Sequence, residues 1–319
     1  MDMITPARKW APAEAEPNFE PVEQIPWPQW IAMFAVAVVP FIGLFAAIVL
    51  LWGRGVGWLE VGLMIGMYCI AGYGTTIGFH RLLTHRALET YKPLRAMWAI
   101  FGSMGVQGPV IRWCATHRRH HQQTDREGDP HSPHLHGGGL NGLLAGMWHA
   151  HLGWCFDADP VGTSKSVKDL TDDKWINFVD RTFIVWVLLG LAIPATIAGL
   201  VTGTWMGALS GFVWGGLVRI FTMHHVTWSV NSVCHVWGTR PYASKDESRN
   251  NPIVAVVALG EGWHNNHHAF PTSARQGLAW WQFDSSWIII WLMSKIGLVW
   301  DVRVPSPDAM GTKRKKEIA

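Results

Sequence analysis

Four long apolar stretches limit what this chain can fold into more than any other feature of its sequence. Each approaches the roughly 20 residues that a helix needs to cross the hydrocarbon core of a bilayer. The two stretches of each pair are separated by a very short link, Gly53–Gly55 in the first pair and Thr202–Thr204 in the second. Short links predict antiparallel helix neighbours, so we expect an all-α integral membrane protein with four transmembrane helices in two hairpins. The stretches are Trp30–Trp52, Val56–Phe79, Phe183–Val201 and Trp205–Met223.

The composition agrees with a bilayer environment. Charged residues make up only 15% of the chain, whereas an average soluble domain carries about 25%. The chain contains 21 tryptophans, and tryptophan concentrates at membrane–water interfaces because its ring is apolar while its N–H can stay wet. The net charge of +3 is too small to suggest a nucleic-acid partner. The lipid bilayer is therefore the expected partner, and nucleic acid is not.

Two hairpins place the N-terminus, residues 80–182 and residues 224–319 on one side of the membrane. That side carries Arg8, Lys9, the arginine-rich stretch 112–126 and the basic tail, so the positive-inside rule makes it cytoplasmic. We expect a bacterial inner-membrane protein with both termini and the active site in the cytoplasm. The chain then divides into a cytoplasmic N-terminal segment (1–28), a membrane domain (29–305) and a basic, solvated C-terminal tail (306–319).

All 16 histidines lie on this side, and several form spaced clusters. Residues three or four apart share one face of a helix, so an HxxHH cluster can point several imidazoles at one centre. A tetrahedral metal needs four ligands, and nine clustered imidazoles therefore suggest two metals with four or five ligands each. The clusters are the HxxxxH pair His80 and His85, the HxxHH sets His117, His120, His121 and His264, His267, His268, and the single His235.

The ligand types narrow the choice of metal. Imidazole suits zinc, copper, iron or nickel. The HExxH motif of zinc proteases is absent from the sequence, and the Glu-x-x-His motif, which carboxylate-bridged di-iron bundles need on each of two helices, occurs once, at Glu261–His264. A neutral, all-imidazole pair of sites beside a membrane favours redox iron that acts on an apolar substrate. The predicted helical cap on the cytoplasmic side would carry this histidine-rich di-iron site.

Further strings of residues surround the histidine clusters, and together they are far more specific than the histidines alone. With these strings the chain resembles the membrane fatty acyl desaturases over roughly residues 30–305, specifically the Δ9 stearoyl-CoA desaturase-like group of bacterial type. The strings are Gly78–Arg86, His117–His121, Asp129–Ser132, His151–Trp154, Trp228–His235, Arg240–Tyr242 and Gly260–Pro271.

The resemblance implies a set of metal ligands and a reaction. Two irons would be held by the nine clustered histidines, with Asn231 holding a metal-bound water, and no catalytic residue separate from these ligands is implied. Asp129 and His131 would orient the ligands by hydrogen bonding. The reaction would be the syn removal of two hydrogens from adjacent methylenes of a saturated long-chain acyl thioester. It would give a cis double bond, expected at Δ9, and would consume O2 and two electrons.

The resemblance also implies partners and a substrate tunnel. Acyl-CoA is the leading acyl carrier, and a separate electron donor such as a ferredoxin, a cytochrome b5-type protein or a reductase is needed. Gln107, Trp113, Thr227 and Trp228 would lie near a bend in the tunnel beside the metals. Met64 and Tyr68 lie one turn apart on the second apolar stretch and are candidates for the closed end of the tunnel.

One departure from the family pattern bears on the carrier. Animal members carry an Arg-Asp pair before the first HxxHH and an Arg-Lys pair after the HxGW string, whereas this chain has Ala115-Thr116 and Asp157-Ala158-Asp159. The basic groups that would bind CoA phosphates are missing, so an acyl-lipid or acyl-ACP substrate stays open. A hydroxylase or alkane monooxygenase on the same scaffold is a second enzyme class. A metal transporter or sensor is a non-enzymatic alternative, although a transporter would place polar ligands inside its spans.

Overall fold

A computed structural model describes residues 4–6, 27–50, 57–157 and 165–315. Within these residues the chain is mainly helical and forms two small sheets, parallel between β1 (Ile4–Pro6) and β4 (Val302–Val304) and antiparallel between β2 (Glu89–Thr90) and β3 (Val299–Trp300). The α-helices are α1 (Trp27–Leu50), α2 (Trp58–Tyr73), α3 (Lys92–Ser103), α4 (Val110–Gln123), α5 (Gly139–His151), α6 (Lys168–Thr171), α7 (Lys174–Arg181), α8 (Phe183–Thr202), α9 (Trp205–Gly211), α10 (Arg219–Val236), α11 (Pro252–Val257), α12 (His264–Ala269), α13 (Ser285–Lys295) and α14 (Pro307–Lys313).

Three continuous helices of the described chain are long and apolar enough to cross a membrane, namely Trp58–Thr84, Phe183–Thr202 and Trp205–Val236. They correspond to the second, third and fourth predicted stretches. The first predicted stretch falls on α1, whose described part holds a shorter apolar segment, Met33–Val49. Its role as a fourth span stays a prediction, because the link at 53–55 lies outside the described residues.

Large apolar side chains are exposed along these helices. Phe45 on α1 and Ile184 and Leu200 on α8 each leave more than half of their surface uncovered by protein. Continuous apolar surface of this kind would be a liability in water, but it is the normal outer face of a helix in lipid. The exposed faces of α1 and α8 therefore suit contact with the bilayer.

Two of the three long helices contain π-helical segments, Gly74–Thr84 after α2 and Phe212–Val218 between α9 and α10. The helices run on without a break past the predicted ends at Phe79 and Met223, to Thr84 and Val236. A π-helix is rare and commonly marks a functional site. Here the extensions carry histidine-rich sequence out of the membrane-spanning part of the helix.

The π-helical segment Gly74–Thr84 packs closely against α3 because two glycines meet at the crossing. A Cβ on Gly74 would collide with the backbone of Phe101 and Gly102, and a Cβ on Gly102 would collide with the ring of Phe79. Helix backbones approach this closely only where no side chain intervenes. The contact fixes the position of His80, which lies in the middle of the π-helical segment.

A fully buried arginine, Arg81, ties the same segment to the C-terminal third of the chain. Its guanidinium donates to the carbonyl oxygen of Ala274 at 2.8 Å and to a carboxylate oxygen of Asp284 at 3.1 Å. It also donates to Glu261 at 3.2 Å. Burial disfavours an isolated charge, but two carboxylates compensate it here. Arg81 therefore joins the C-terminal end of the long helix Trp58–Thr84 to the segment that precedes α13.

The basic tail predicted at 306–319 is partly folded in its described portion. It begins with α14, and the backbone N–H of Ala243 donates to the carbonyl of Lys313 at 2.7 Å, while the N–H of Lys315 donates to Pro241 at 2.9 Å. The side chain of Lys313 reaches the carbonyl of Ala269 at 2.5 Å. The described part of the tail is thus held by hydrogen bonds to residues 241–243 and Ala269, while residues 311–315 stay exposed.

Candidate metal centre

The π-helix explains the HxxxxH spacing of the first histidine pair. Residues five apart in an α-helix point about 140° away from each other, so His80 and His85 could not share a centre on an α-helix. In the π-helical segment the N–H of His85 donates to the carbonyl of His80 at 3.0 Å. The two imidazole rings therefore lie on the same side, with centroids 4.7 Å apart.

Each HxxHH cluster is divided between two centres instead of converging on one. On α4 the outer pair, His117 and His121, turns toward one group while His120 turns toward another. On α12 the assignment is reversed, because His264 and His268 join the second group and His267 joins the first. The i, i+4 pair of each helix thus serves one centre and the remaining histidine serves the other.

The first group contains five histidines whose ligand atoms all lie within 4.8 Å of one another. The Nε2 atoms of His80 and His267 are 3.1 Å apart, those of His117 and His121 are 3.1 Å apart, and those of His121 and His267 are 2.8 Å apart. Two nitrogens bound to one ion at about 2.1 Å and at a right angle would lie about 3 Å apart. The five-histidine group consists of His80, His85, His117, His121 and His267.

The second group contains four histidines, His120, His235, His264 and His268. The Nε2 atoms of His235 and His264 are 3.0 Å apart. The Nε2 atoms of His120 and His268 are buried with no hydrogen-bond partner, and so is the Nε2 atom of His85 in the first group. A buried polar nitrogen without a partner is costly unless an ion occupies its lone pair. The donor set therefore fits metal binding in both groups.

The two groups adjoin each other. The rings of His121 and His268, one from each group, have centroids 4.5 Å apart. The rings of His120 and His121 are 5.5 Å apart, and those of His267 and His268 are 5.4 Å apart. Two ions in these groups would therefore be close neighbours.

Carboxylates fix the orientation of the four-histidine group. The Nδ1 atom of His120 lies 2.9 Å from Asp129. That of His235 lies 3.2 Å from Asp125, and that of His268 lies 3.0 Å from Asp246. Burial opposes ionisation of the three aspartates. Even so, hydrogen bonding and nearby imidazoles outweigh burial and hold the pKa of each carboxyl well below its ordinary value.

An ionised carboxylate only accepts hydrogen bonds, so Nδ1 of each of these imidazoles must carry the proton. The Nε2 atom is then left with a free lone pair, which is the form that binds a metal. The sequence assigned this orienting role to Asp129, and the contact between Asp129 and His120 agrees with that assignment. Asp125 and Asp246 were missed, because nothing in their spacing connects them with His235 and His268.

In the five-histidine group a glutamate has the corresponding position. The Oε2 atom of Glu261 accepts from the Nδ1 atom of His80 at 2.5 Å and from the side-chain amide of Gln276 at 3.0 Å. The same carboxylate accepts two hydrogen bonds from Arg81. Burial disfavours the charge of Glu261, but His80 and Arg81 hold the pKa of the carboxyl below its ordinary value. Glu261 lies in the Gly260–Pro271 string, where only the histidines suggested a role.

Burial keeps most of the remaining imidazoles neutral. It lowers the pKa of each of them well below the ordinary value for histidine, and the neighbouring imidazoles reinforce the effect. Neutral imidazole is the ligand form, whereas imidazolium cannot bind a metal. The histidines with strongly lowered pKa are His85, His117, His121, His264 and His267.

His131 lies beside His120, with ring centroids 4.3 Å apart. His120, Asp129 and His131 form a third set of potential ligand atoms within 4.8 Å. Hydrogen bonds already satisfy Asp129, which accepts from His120 and from the backbone N–H groups of Asp125 and His131. In this set Asp129 holds His120 by a hydrogen bond, while His131 donates only its backbone N–H to Asp129 and packs its ring beside His120. The orienting role of Asp129 and His131 stays a prediction.

A narrow cavity of about 60 Å³ opens beside the histidines. Ligand histidines of both groups, His80 and His117 from the first and His264 from the second, form part of its wall. Asn231 also faces it, one turn before His235 on α10. The rest of the lining is mostly apolar and comes from α2, the π-helical segment, α10 and the loop after α11.

Three of the predicted tunnel residues form one hydrogen-bonded set. The side-chain amide of Gln107 donates to the hydroxyl of Thr227 at 2.7 Å, and its carbonyl accepts from the indole N–H of Trp113 at 3.2 Å. Thr227 and Trp113 line the cavity. Trp228 is buried and packs against the ring of His224, with centroids 5.1 Å apart.

Tyr68 and Met64, the two residues predicted for the closed end of the substrate tunnel, have different surroundings in the structure. Tyr68 lines the cavity. Met64, one turn earlier, packs instead against the buried cluster of Ala47, Val213 and Val218, outside the lining of this cavity. Tyr68 is therefore the better placed of the two to contact a bound acyl chain.

Relatives of known activity can now be set beside this geometry. Residues 56–300 match the family model described as fatty acid desaturase. Over 279 residues the chain is 45% identical to hex-5-enoyl-(acyl-carrier protein) acetylenase of Moorena producens, an alignment that covers 87% of each chain. Over 320 residues it is 36% identical to the acyl-CoA C20 Δ5-desaturase of Anemone leveillei, with 96% of each chain covered.

It is also 38% identical over 251 residues to the sn-1 stearoyl-lipid 9-desaturase of Anabaena variabilis, which covers 77% of this chain and 85% of the relative. These three relatives act on three different acyl carriers by their names, but all modify the acyl chain itself. The family model spans most of the chain, and the relatives align over nearly their whole length. The chain belongs to the fatty acid desaturase family.

Proposed function

We propose that this protein inserts a cis double bond at Δ9 of a saturated long-chain acyl group at a centre of two iron ions. The net reaction converts CH2–CH2, O2, two electrons and two protons into CH=CH and two molecules of water. The observation that carries the proposal is the convergence of nine histidines in adjoining groups of five and four, with His80, His117 and His264 lining one mostly apolar cavity.

Desaturases of this family use iron, and the two histidine groups fit the binding of a metal. When bound, iron would supply the redox chemistry that couples O2 reduction to the removal of hydrogen from an unactivated methylene. The nine histidines would hold it, and Asn231 would hold a water on the four-histidine side. Carboxylates on Nδ1 keep His80, His120, His235 and His268 in the tautomer that leaves Nε2 free.

The remaining residues bind and orient the substrate. The apolar cavity wall would take the acyl chain out of water and lay its reacting methylenes beside the histidines. Gln107, held by Thr227 and Trp113, would set the direction of the chain at the centre. Tyr68 would limit how far the methyl end can reach, which fixes the distance of the double bond from the carboxyl end.

The leading carrier is CoA, as the resemblance to the stearoyl-CoA group implies. A second candidate is a glycerolipid, and one observation favours it. Ala115 and Thr116 are buried on α4, and Asp157 is exposed and acidic, so these positions offer no cation to a CoA phosphate. Residues 158–164 lie outside the described part of the chain. Electrons would come from a separate carrier protein, and the cap would face the cytoplasm.

The test is expression in a desaturase-deficient bacterial host, followed by gas chromatography–mass spectrometry of fatty acid methyl esters with disulfide derivatisation to locate double bonds. We expect new Δ9 monoenes that disappear in the His267→Ala variant. His149→Ala is the matched control, because His149 belongs to neither group. Hydroxylated products would overturn the proposal in favour of a monooxygenase, and a double bond elsewhere would overturn the Δ9 assignment alone.

The carrier is tested separately with the purified iron protein, a chemical reductant and stearoyl groups on CoA, on acyl carrier protein or on a glycerolipid. Product from stearoyl-CoA alone supports the leading carrier. Product from the glycerolipid alone supports the second candidate and leaves the desaturase assignment intact.

A further inference from the structure

The carboxylates that hold the histidines are unevenly shared between the two groups. In the four-histidine group three of the four imidazoles donate from Nδ1 to an aspartate. In the five-histidine group Glu261 on His80 is the carboxylate found within hydrogen-bond distance of a ligand ring among the described residues. Three carboxylates thus act on the four-histidine position, and one acts on the five-histidine position.

The other hydrogen bonds of the three aspartates come from neutral donors. Asp125 accepts from the amide of Glu247 at 2.8 Å and from the hydroxyl of Ser132 at 2.7 Å. Asp246 accepts from the backbone amide and the hydroxyl of Ser248. Asp129 accepts from two backbone amides. Neutral donors stabilise a carboxylate without cancelling its charge, so each aspartate keeps a full negative charge beside the four-histidine group.

Glu261 is in the opposite situation. The guanidinium of Arg81 donates to it from two nitrogens, at 3.3 Å and 3.2 Å. Arg81 is completely buried and is also paired with Asp284, so its charge acts at close range in a medium of low dielectric constant. Arg81, Glu261 and Asp284 together carry one positive and two negative charges, a net charge of −1 beside the five-histidine group, whereas the three aspartates place a charge of −3 beside the four-histidine group.

This difference has a direct effect on bound metal. A carboxylate on Nδ1–H makes an imidazole a stronger electron donor through Nε2, and uncompensated negative charge nearby favours the more highly charged ion. Resting on the proposed di-iron function, we propose that the two positions are inequivalent, with the four-histidine position stabilising Fe³⁺. The five-histidine position then takes the first electron, so that Fe³⁺ plus one electron from a one-electron carrier gives Fe²⁺ there.

Mössbauer spectroscopy of the purified full-length protein loaded with ⁵⁷Fe tests the inference without an activity assay. The fully oxidised protein is titrated with one electron equivalent of dithionite per two irons. We expect one ferrous and one ferric subspectrum of equal area. Two ferric subspectra, one from each position, would mean that the electron is not directed, and this would overturn the inference.

Variants assign each subspectrum to its position. Asp246→Asn should change the quadrupole splitting of the iron that stays ferric, whereas Glu261→Gln should change that of the iron that becomes ferrous. In Asp246→Asn the first electron should also be distributed more evenly between the positions. Asp125→Asn should act in the same direction and replaces Asp246→Asn if that variant does not fold. The exposed Asp308 on α14 supplies the control, because among the described residues its carboxylate forms no hydrogen bond or ion pair with a ligand histidine, so Asp308→Asn should leave the spectra unchanged.

Two further results would count against the inference in different ways. If the ferric subspectrum responds to Glu261→Gln and not to Asp246→Asn or Asp125→Asn, the order of the two positions is reversed and the inference fails. If the wild-type protein binds fewer than two irons, the proposed di-iron function fails first and the inference falls with it. Iron is counted by plasma mass spectrometry on the same samples.

Discussion

The phenol of Tyr68 donates a hydrogen bond of 2.6 Å to the carbonyl oxygen of Val257, which joins α2 to the last residue of α11. Tyr68 also lines the cavity, about three helical turns before His80. One side chain therefore contacts the cavity and fixes the loop that leads to α12.

Tyr68→Ala should lengthen the acyl chain that the enzyme accepts, because it removes a ring that narrows the cavity. Tyr68→Phe keeps the ring and removes only the hydrogen bond, so it should keep the wild-type chain-length profile with a lower rate. The products of a mixture of saturated substrates from C14 to C20, measured by gas chromatography, separate the two effects. Met64→Ala is the control, since Met64 packs outside this cavity. An unchanged profile in Tyr68→Ala would remove Tyr68 from the closed end.

Gln107→Leu should loosen the bend of the cavity, because it removes the partner of both Thr227 and Trp113 at once. Loss of a hydrogen bond costs about 1 kcal/mol, so with two bonds lost we expect kcat to fall by up to about thirtyfold. We also expect the double-bond position to become heterogeneous. Thr227→Ser keeps the hydroxyl and should behave like wild type, whereas Thr227→Val should resemble a weaker Gln107→Leu. A single, unshifted double bond in Gln107→Leu would argue against a role in orienting the chain.

The sequence contained enough information to predict a helical fold, long apolar helices and the gathering of nine histidines. Apolar length predicts a span with little help from tertiary structure, and three of the four stretches emerge as long, membrane-compatible helices. The HxxHH spacing likewise places three imidazoles along one helix. These features depend on local sequence, which is the reason that they could be predicted.

The way that the histidines are shared could not be predicted in this manner. Two α4 histidines belong to one centre and the third to another because each centre is completed by imidazoles from other parts of the chain, and this is a tertiary relationship. The use of His80 and His85 together depends on a π-helix, a conformation that no propensity rule anticipates. Asp125 pairs with His235 from a distant part of the chain, so their contact leaves no trace in spacing. Long-range hydrogen bonds of this kind follow from the packing of the whole cap.

Removing metal should destabilise the cap more than the spans. The apoprotein holds several neutral imidazole nitrogens that are buried without a partner, and metal that binds only the folded state adds free energy of folding according to its affinity and concentration. We expect thermal unfolding in detergent to occur several degrees lower after chelation and to recover when Fe²⁺ is added back under anaerobic conditions. His267→Ala should weaken this response, whereas His149→Ala should keep it. Equal melting with and without metal would contradict metal binding by the folded cap.

The Arg118–Asp169 pair should make stability depend on acidity. Burial disfavours the charge of Asp169, but Arg118 and Arg86 outweigh it and lower the pKa of the carboxyl below its ordinary 3.8. A lowered folded pKa means that the pair contributes stability above the unfolded value and loses it as pH falls through the folded value. Asp169→Asn should therefore have a lower melting temperature than wild type at pH 7. This difference in melting temperature should shrink as the pH is lowered toward 3. The control is Asp172→Asn, at an exposed neighbouring position, which should melt like wild type at both pH values. If the melting temperature of Asp169→Asn stays below that of wild type at pH 3, the stabilisation does not come from the Arg118–Asp169 ion pair.

Arg219 lies within the fourth predicted span, and its guanidinium is completely buried. It donates to the backbone carbonyl of Met104 at 2.6 Å and to that of Gly190 at 3.2 Å. These bonds join α10 to the end of α3 and to α8. A hydrogen bond to a charged group contributes about 1.5–3 kcal/mol, and a carbonyl left unpaired in an apolar interior is costly.

We therefore expect Arg219→Met to lower thermal stability by several degrees. It should also lower the rate of double-bond formation, because the segment released at Met104 leads directly to Gln107. Arg219→Lys keeps the charge but offers a single ammonium to both carbonyls, so it should recover only part of the loss. The matched control is Arg181→Met at the exposed end of α7, which removes an arginine from the surface and should leave melting and activity near wild type. If Arg219→Met melts like Arg181→Met, the three-helix junction does not depend on the buried guanidinium.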